Sequence, residues 1–205
     1  MKLIILTISL LFTFKSFSQD SLNFDLKKRI YKIYILDQDC REKLRKFQNN
    51  EIDTSLISIK QIEKLIHDTD STNYYELKAI IDEFGFPGYN LVGEDFSNSF
   101  WNIIQHQDNN IPFQKYALEK MKVQVDNKNA SPTYFAYLTD RVLINSGEKQ
   151  IYGTQLQINL NSTSYEVKPT IDMENLNLRR KEVGLITIEE YIEIMNTKYY
   201  GTLKK

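Results

Sequence analysis

The apolar residues of this chain keep a helical spacing for most of its length and change to alternation only once, after Gly147. Spacings of three and four place apolar side chains on one stripe of a helix, whereas alternation places them on one face of a strand. The pattern therefore predicts an α+β fold, predominantly helical, with one late antiparallel β-hairpin. Leu26, Ile30, Ile33, Cys40, Leu44 and Phe47 mark a long first helix between Leu22 and Phe47, broken at Asn49-Asn50. Leu56, Ile59, Ile62, Leu65 and Ile66 mark a second, from about Thr54 to His67. The run Asp68-Thr69-Asp70-Ser71-Thr72 has the composition of a loop and N-cap, which predicts a third helix ending at Phe84 before Gly85.

Residues 85–93 hold three glycines and one proline, favouring tight turns. Such a segment is either a plain connection or an aromatic pocket wall. A fourth helix is expected from Glu94 or Phe96 to Gln107, and a fifth, opened by Pro112, from Ile111 to about Val125. Ser131-Pro132 opens a sixth, which carries Asp140 and Arg141. Leu156, Ile158 and Leu160 then alternate with Gln155, Gln157 and Asn159, Asn161-Ser162-Thr163-Ser164 makes a turn, and Tyr165-Glu166-Val167 returns. A short helical piece with Arg179-Arg180 stops at Gly184, and Thr187 with Glu190 forms a capping box for the last helix, Ile188 to about Tyr199. An aromatic content of 12% supports a packed interior, and no repeat or linker divides the chain. The expected organisation is residues 19–84 as an N-terminal helical part and 85–205 as a motif-bearing part, together one compact domain.

Residues 1–18 are expected to be a secretory signal peptide, with an uncleaved anchor as the alternative. Lys2 precedes the apolar run Leu3 to Phe14, shorter than the roughly twenty residues a spanning helix needs, and Ser16-Phe17-Ser18 puts small residues where signal peptidase reads them. The mature chain would begin at Gln19 and be periplasmic or secreted, with no stable membrane insertion after cleavage. Cys40 is the only cysteine, so no intrachain disulfide forms. It reads as a core residue on its helix stripe or as a lone nucleophile. A net charge of −1, more acidic without Lys2 and Lys15, does not favour nucleic acid.

The sequence lacks His-Glu-x-x-His, a cysteine pair, a P-loop and Gly-x-Ser-x-Gly, so no metal or other cofactor is expected. Its two histidines are His67, read as a surface residue near a helix end, and His106. His106 is flanked by Trp101, Gln105 and Asp108. It is either a structural side chain or a general acid or base whose ring a carboxylate, Asp140 or Asp172, would orient. Arg141, Arg179 and Arg180 either pair with those aspartates or present a fork to an anionic substrate. In Tyr152-Gly153-Thr154-Gln155 the glycine permits a close turn, and Gln155 offers both donor and acceptor.

The ordered set Trp101-x-x-x-Gln105-His106-x-Asp108, Ser131-Pro132, Tyr137-Leu138-Thr139-Asp140-Arg141-Val142 and Gln150-x-Tyr152-Gly153-Thr154-Gln155 resembles the bacterial family catalogued as domain of unknown function 6624. Pro169, Asp172, Arg179-Arg180, Val183-Gly184-Leu185 and Glu190-Tyr191 continue it, so the resemblance runs from about Gly85 to Ile192. It implies no activity. It adds weight to the polar residues of the set, and it leaves the N-terminal helices unmatched, as a variable cover or a partner surface. Two functions stand open beside a structural role within an envelope assembly. One is a periplasmic binding or interaction module for a small molecule, peptide or envelope protein. The other is a hydrolase-like or lyase-like enzyme with His106 as acid or base, Gln155 positioning an anionic substrate and Arg179 or Arg180 holding its charge.

Overall fold

A computed structural model describes residues 22–53, 55–159 and 164–200. The expected signal peptide and the Asn161-Ser162-Thr163 turn lie outside the described residues. Among the described residues, eight α-helices and one hairpin follow in the order α1 (Phe24–Gln48), α2 (Ile59–Phe84), α3 (Tyr89–Val92), α4 (Glu94–Gln105), α5 (Ile111–Asp126), α6 (Pro132–Asn145), β1 (Leu156–Asn159), β2 (Ser164–Val167), α7 (Leu176–Glu182) and α8 (Ile188–Met195). The fold is α+β and mostly helical. Among the described residues no helix is long and apolar enough to cross a membrane.

Local chemistry sets most helix starts. The Asn110 side chain accepts from Phe113 N and the Ser131 side chain from Tyr134 N, each with a proline in the first turn, where its missing N–H costs nothing. Thr187 and Glu190 form the reciprocal capping box of α8.

The second and third expected helices are one helix, α2, capped by Ser58 and Gln61. The polar run Asp68 to Thr72 lies inside it. Ser71 Oγ and Thr72 Oγ1 donate back to the carbonyls of His67 and Asp68 one turn earlier, so side chains that favour caps elsewhere are satisfied within the helix. Packing against α1 along its length overrides the local composition. Arg29 reaches Glu76 and Glu83 of α2 while Arg41 reaches Asp70, so the two helices run antiparallel.

Leu26, Ile30 and Ile33 of α1 and Leu77, Ile80 and Ile81 of α2 enter the core, where they meet Phe100, Ile103 and Ile104 of α4. The glycine-rich segment contains the single turn α3 and is anchored by buried Phe86 and Val92. Phe86 meets Phe100 edge to face at 5.6 Å. Ala117 and Met121 of α5 and Leu138 and Val142 of α6 close the other side.

The hairpin pairs Leu156 with Val167 through Asn159 with Ser164. The alternation predicts a buried face, yet Ile158 is half exposed, because only part of the ribbon is covered by α8. Ahead of the hairpin, the chain passes Gly153 at φ +66, where an added Cβ would lie 3.2 Å from Leu176, 3.3 Å from Val167 and 3.4 Å from Ile188. Gly147, at φ +77, has open space around it. Gly153→Ala should therefore cost about 2–3 kcal/mol, and Gly147→Ala about 1 kcal/mol from backbone strain alone. Urea unfolding of the two variants measures the difference, and equal costs would remove the packing contribution at Gly153.

Candidate functional site

The polar residues singled out in the sequence fall into separate clusters. His106 is the C-cap of α4, and its partner comes from α1. Asp37, 0% exposed, faces the ring with both carboxylate oxygens 3.0 Å from His106 Nδ1. An ionised carboxylate can only accept, so the hydrogen of that bond belongs to Nδ1. The expectation that Asp140 or Asp172 orients His106 is thus corrected, since neither bonds to it.

Asp37 lies one turn before Arg41 on α1, and Arg41 Nη1 reaches its Oδ1 at 2.9 Å. The other end of the same guanidinium bonds Asp70 of α2 at 3.0 and 3.1 Å. Gln38 Nε2 donates to Asp37 Oδ2 at 2.8 Å and to Asn102 Oδ1 at 3.0 Å. Asp37 is therefore held by an imidazole, a guanidinium and an amide, as a carboxylate without solvent requires. Burial pushes the Asp70 carboxyl up, against the opposing charge and hydrogen bonds of Arg41. Burial also pushes the Cys40 thiol up; that cysteine is buried beside Asp37 and Arg41, so its nucleophilic thiolate form is disfavoured.

His106 lines a cleft of about 310 Å³ together with Asp70, Ser71, Tyr74, Asn109 and Asn110. His67 lines it too, from mid-α2, not from the helix end expected for it. Nε2 of His106 makes no hydrogen bond with the described residues, so it is the ring nitrogen left to the cleft. Among the described residues, no three His, Cys, Asp or Glu side chains gather where a metal ion could sit.

The other candidates are committed elsewhere. Asp140, fully buried, accepts from the backbone N–H of Ile151 at 2.8 Å, Tyr152 at 3.0 Å and Thr154 at 2.8 Å, and from the Thr154 hydroxyl at 2.9 Å. On the carbonyl side of the same loop, Arg179 Nε donates to Ile151 O at 3.0 Å. Arg180, 1% exposed, donates from Nη1 to Tyr152 O at 2.7 Å and Gly153 O at 3.3 Å, and its guanidinium lies 5.2 Å over the Tyr191 ring. Arg179 also bonds the Ile171 and Asp172 carbonyls and the Asp172 carboxylate. Gln155 exchanges backbone bonds with the Gln150 side chain, and its own amide donates to Thr154 Oγ1.

Most donors of the fork expected for an anionic substrate are thus taken by peptide carbonyls and by Asp108 and Asp172, while Arg180 Nη2 is buried without a hydrogen-bond partner among the described residues. Loop 151–154 is instead gripped between a carboxylate that takes its N–H groups and two guanidiniums that take its C=O groups. Burial, reinforced by the nearby Asp140 charge, pushes the Tyr152 phenol up.

A third contact fixes the α4–α5 turn. Arg141 forks onto Asp108, with Nε at 2.7 Å from Oδ1, and Gln114 and Asn145 add hydrogen bonds. Burial alone would raise the Asp108 carboxyl, but Arg141, Gln114 and Asn145 outweigh it and hold it below the usual carboxylate range. Trp101 stacks on Tyr134 at 4.3 Å and 15° and is a core residue. Gln105 stays half-buried at the end of α4, its carbonyl accepting from Gln114.

Sequence reasoning missed Asp37, Arg41 and Asp70. One sign was present, because Asp37 occupies the stripe position between Ile33 and Cys40 where an apolar residue belongs. Asp140→Ala should lower stability by about 3–5 kcal/mol by orphaning buried N–H groups and removing the counter-charge of the arginines. Hydrogen exchange should show Ile151, Tyr152 and Thr154 losing protection first, and unchanged protection there would refute the grip on the loop.

No curated protein and no solved structure matches this chain. The sequence profile of domain of unknown function 6624, a family of unknown function, matches residues 25–204. The match takes in α1 and α2, which the motif set did not reach and which supply Asp37, Arg41 and Asp70. Over nearly its whole length, then, the chain belongs to the family of domain of unknown function 6624.

Proposed function

We propose that this protein binds a small polar molecule in the cleft beside His106 and carries out acid–base chemistry on it. The observation that supports this reading is the pairing of His106 Nδ1 with buried Asp37, which leaves Nε2 unbonded at the cleft. A carboxylate behind the ring fixes the tautomer and the ring orientation, so that Nε2 is the nitrogen that takes a proton from a hydroxyl or water. Asp70, in the same cleft with its carboxyl raised by burial, is a second proton-handling group there.

On this reading the neutral His106 ring carries its hydrogen on Nδ1. Nitrogen-15 NMR of the ring measures this directly, and a neutral ring protonated on Nε2 would sink the acid–base role.

A second reading, a non-catalytic interaction module, draws support from a groove of about 400 Å³ between α1 and α2 that exposes Leu36 by 47% and Tyr75 by 73%. Neither reading calls for nucleic acid. We also propose that the protein works in the periplasm or outside the cell, on the support of Lys2, the run Leu3 to Phe14 and Ser16-Phe17-Ser18. N-terminal sequencing of protein recovered from the producing bacterium should begin at Gln19. A chain that still begins at Met1 would overturn the exported location.

A further inference from the structure

We propose that the ligand of the His106 cleft is a neutral saccharide, an inference that rests on taking this cleft as the working site. No Lys or Arg lines it. The guanidiniums beside it are already spent, Arg41 on Asp37 and Asp70 and Arg141 on Asp108. A phosphate or carboxylate would meet no lysine or arginine in the wall, only the two imidazoles, and would face the Asp70 carboxylate.

The unused hydrogen-bonding capacity is of mixed sign. Asn110 spends its Oδ1 on capping α5 through Phe113 N and keeps its amide hydrogens. The Asn109 side chain bonds to none of the described residues and keeps both a donor and an acceptor. Ser71 Oγ donates to His67 O, which leaves its lone pairs. Hydroxyl groups donate and accept together, so neighbouring hydroxyls on one ring match such a set, whereas a ligand of only acceptors does not.

The same cleft carries Tyr74 and Tyr75. Tyr74 is held edge-on against Phe113 at 5.2 Å and 87°, and the Tyr75 ring, tilted 60° to it, is largely open to solvent. An exposed, stiff aromatic face suits the C–H face of a pyranose, which is apolar although its rim is polar. The volume of about 310 Å³ is at the lower end for small-molecule pockets, in keeping with a short saccharide. Nε2 of His106 would then stand among hydroxyl groups, the proton donors that an imidazole base addresses.

The test is a titration of the nitrogen-15-labelled protein with maltotriose, cellotriose and the neutral N,N′,N″-triacetylchitotriose, and with inorganic pyrophosphate as the anionic comparison. At least one trisaccharide should shift the side-chain amides of Asn109 and Asn110, and Tyr75→Ala and Asn109→Ala should each weaken that binding, the former about tenfold. Both residues are exposed, so the variants keep the fold, which an unchanged melting temperature verifies. Shifts with pyrophosphate alone, with none of the four probes, or with a trisaccharide whose binding ignores both variants would each overturn the proposal. A His106 ring with a bare Nε2 and no saccharide binding rejects the ligand class and leaves the acid–base reading standing. A neutral ring protonated on Nε2 rejects that reading whatever the sugars do.

Discussion

A carboxylate shut away from water has to be surrounded by donors, and Asp37 meets that demand with groups from two helices. Gln38 and Arg41 come from its own helix and His106 from the end of α4, while Arg41 carries the link on to Asp70 of α2. Each bond is a condition on where a helix sits. Removing any one leaves a buried charge short of a partner, a deficit of several kcal/mol that neighbouring apolar contacts do not offset. The apolar stripe of α1 supplies attraction without direction, and Asp37 supplies the register.

The Asp140 cluster solves a related problem with opposite polarity on two sides. Between Asp140 and the arginines of α7, the peptide groups of residues 151–154 line up with N–H toward the negative charge and C=O toward the positive one. Arg180 therefore needs no direct carboxylate contact, because the peptides transmit the field between the charges as a polarised layer. Gly153 lets the chain curve through that layer close to Leu176 and Val167. The hairpin that follows is short and partly open, so this grip, more than the strand ladder, fixes its point of departure.

What the sequence disclosed was what is local. The starts of α5, α6 and α8 could be read because Pro112, Ser131-Pro132 and Thr187 with Glu190 act within one turn of themselves. The Asp68 to Thr72 run misled for the same reason, since its cap-like chemistry is local and the packing on α1 that holds it helical is not. His106 was legible as a candidate, but its partner lies on another helix, and the spacing that joined it to Asp140 and Asp172 in sequence carried no information about space. Asp140, Arg179 and Arg180 stood out because polar residues buried for structure look, in a single chain, like polar residues gathered for chemistry. Asp37 alone broke an apolar stripe, and that irregularity was the only trace of the cluster before the fold was known.

The dependence of His106 on α1 also bears on motion. The ring and its carboxylate are 69 residues apart in the chain, so their meeting is a non-local contact that forms only once α1 has docked. Segments open locally when they bury few apolar contacts, and α1 buries Leu26, Ile30 and Ile33 against α2 and α4. Lifting α1 would take away the carboxylate and expose the core face of α2 and α4 at the same time. The imidazole thus keeps its fixed orientation only while the α1–α2–α4 core holds, so the geometry at the cleft and the packing of that core stand or fall together.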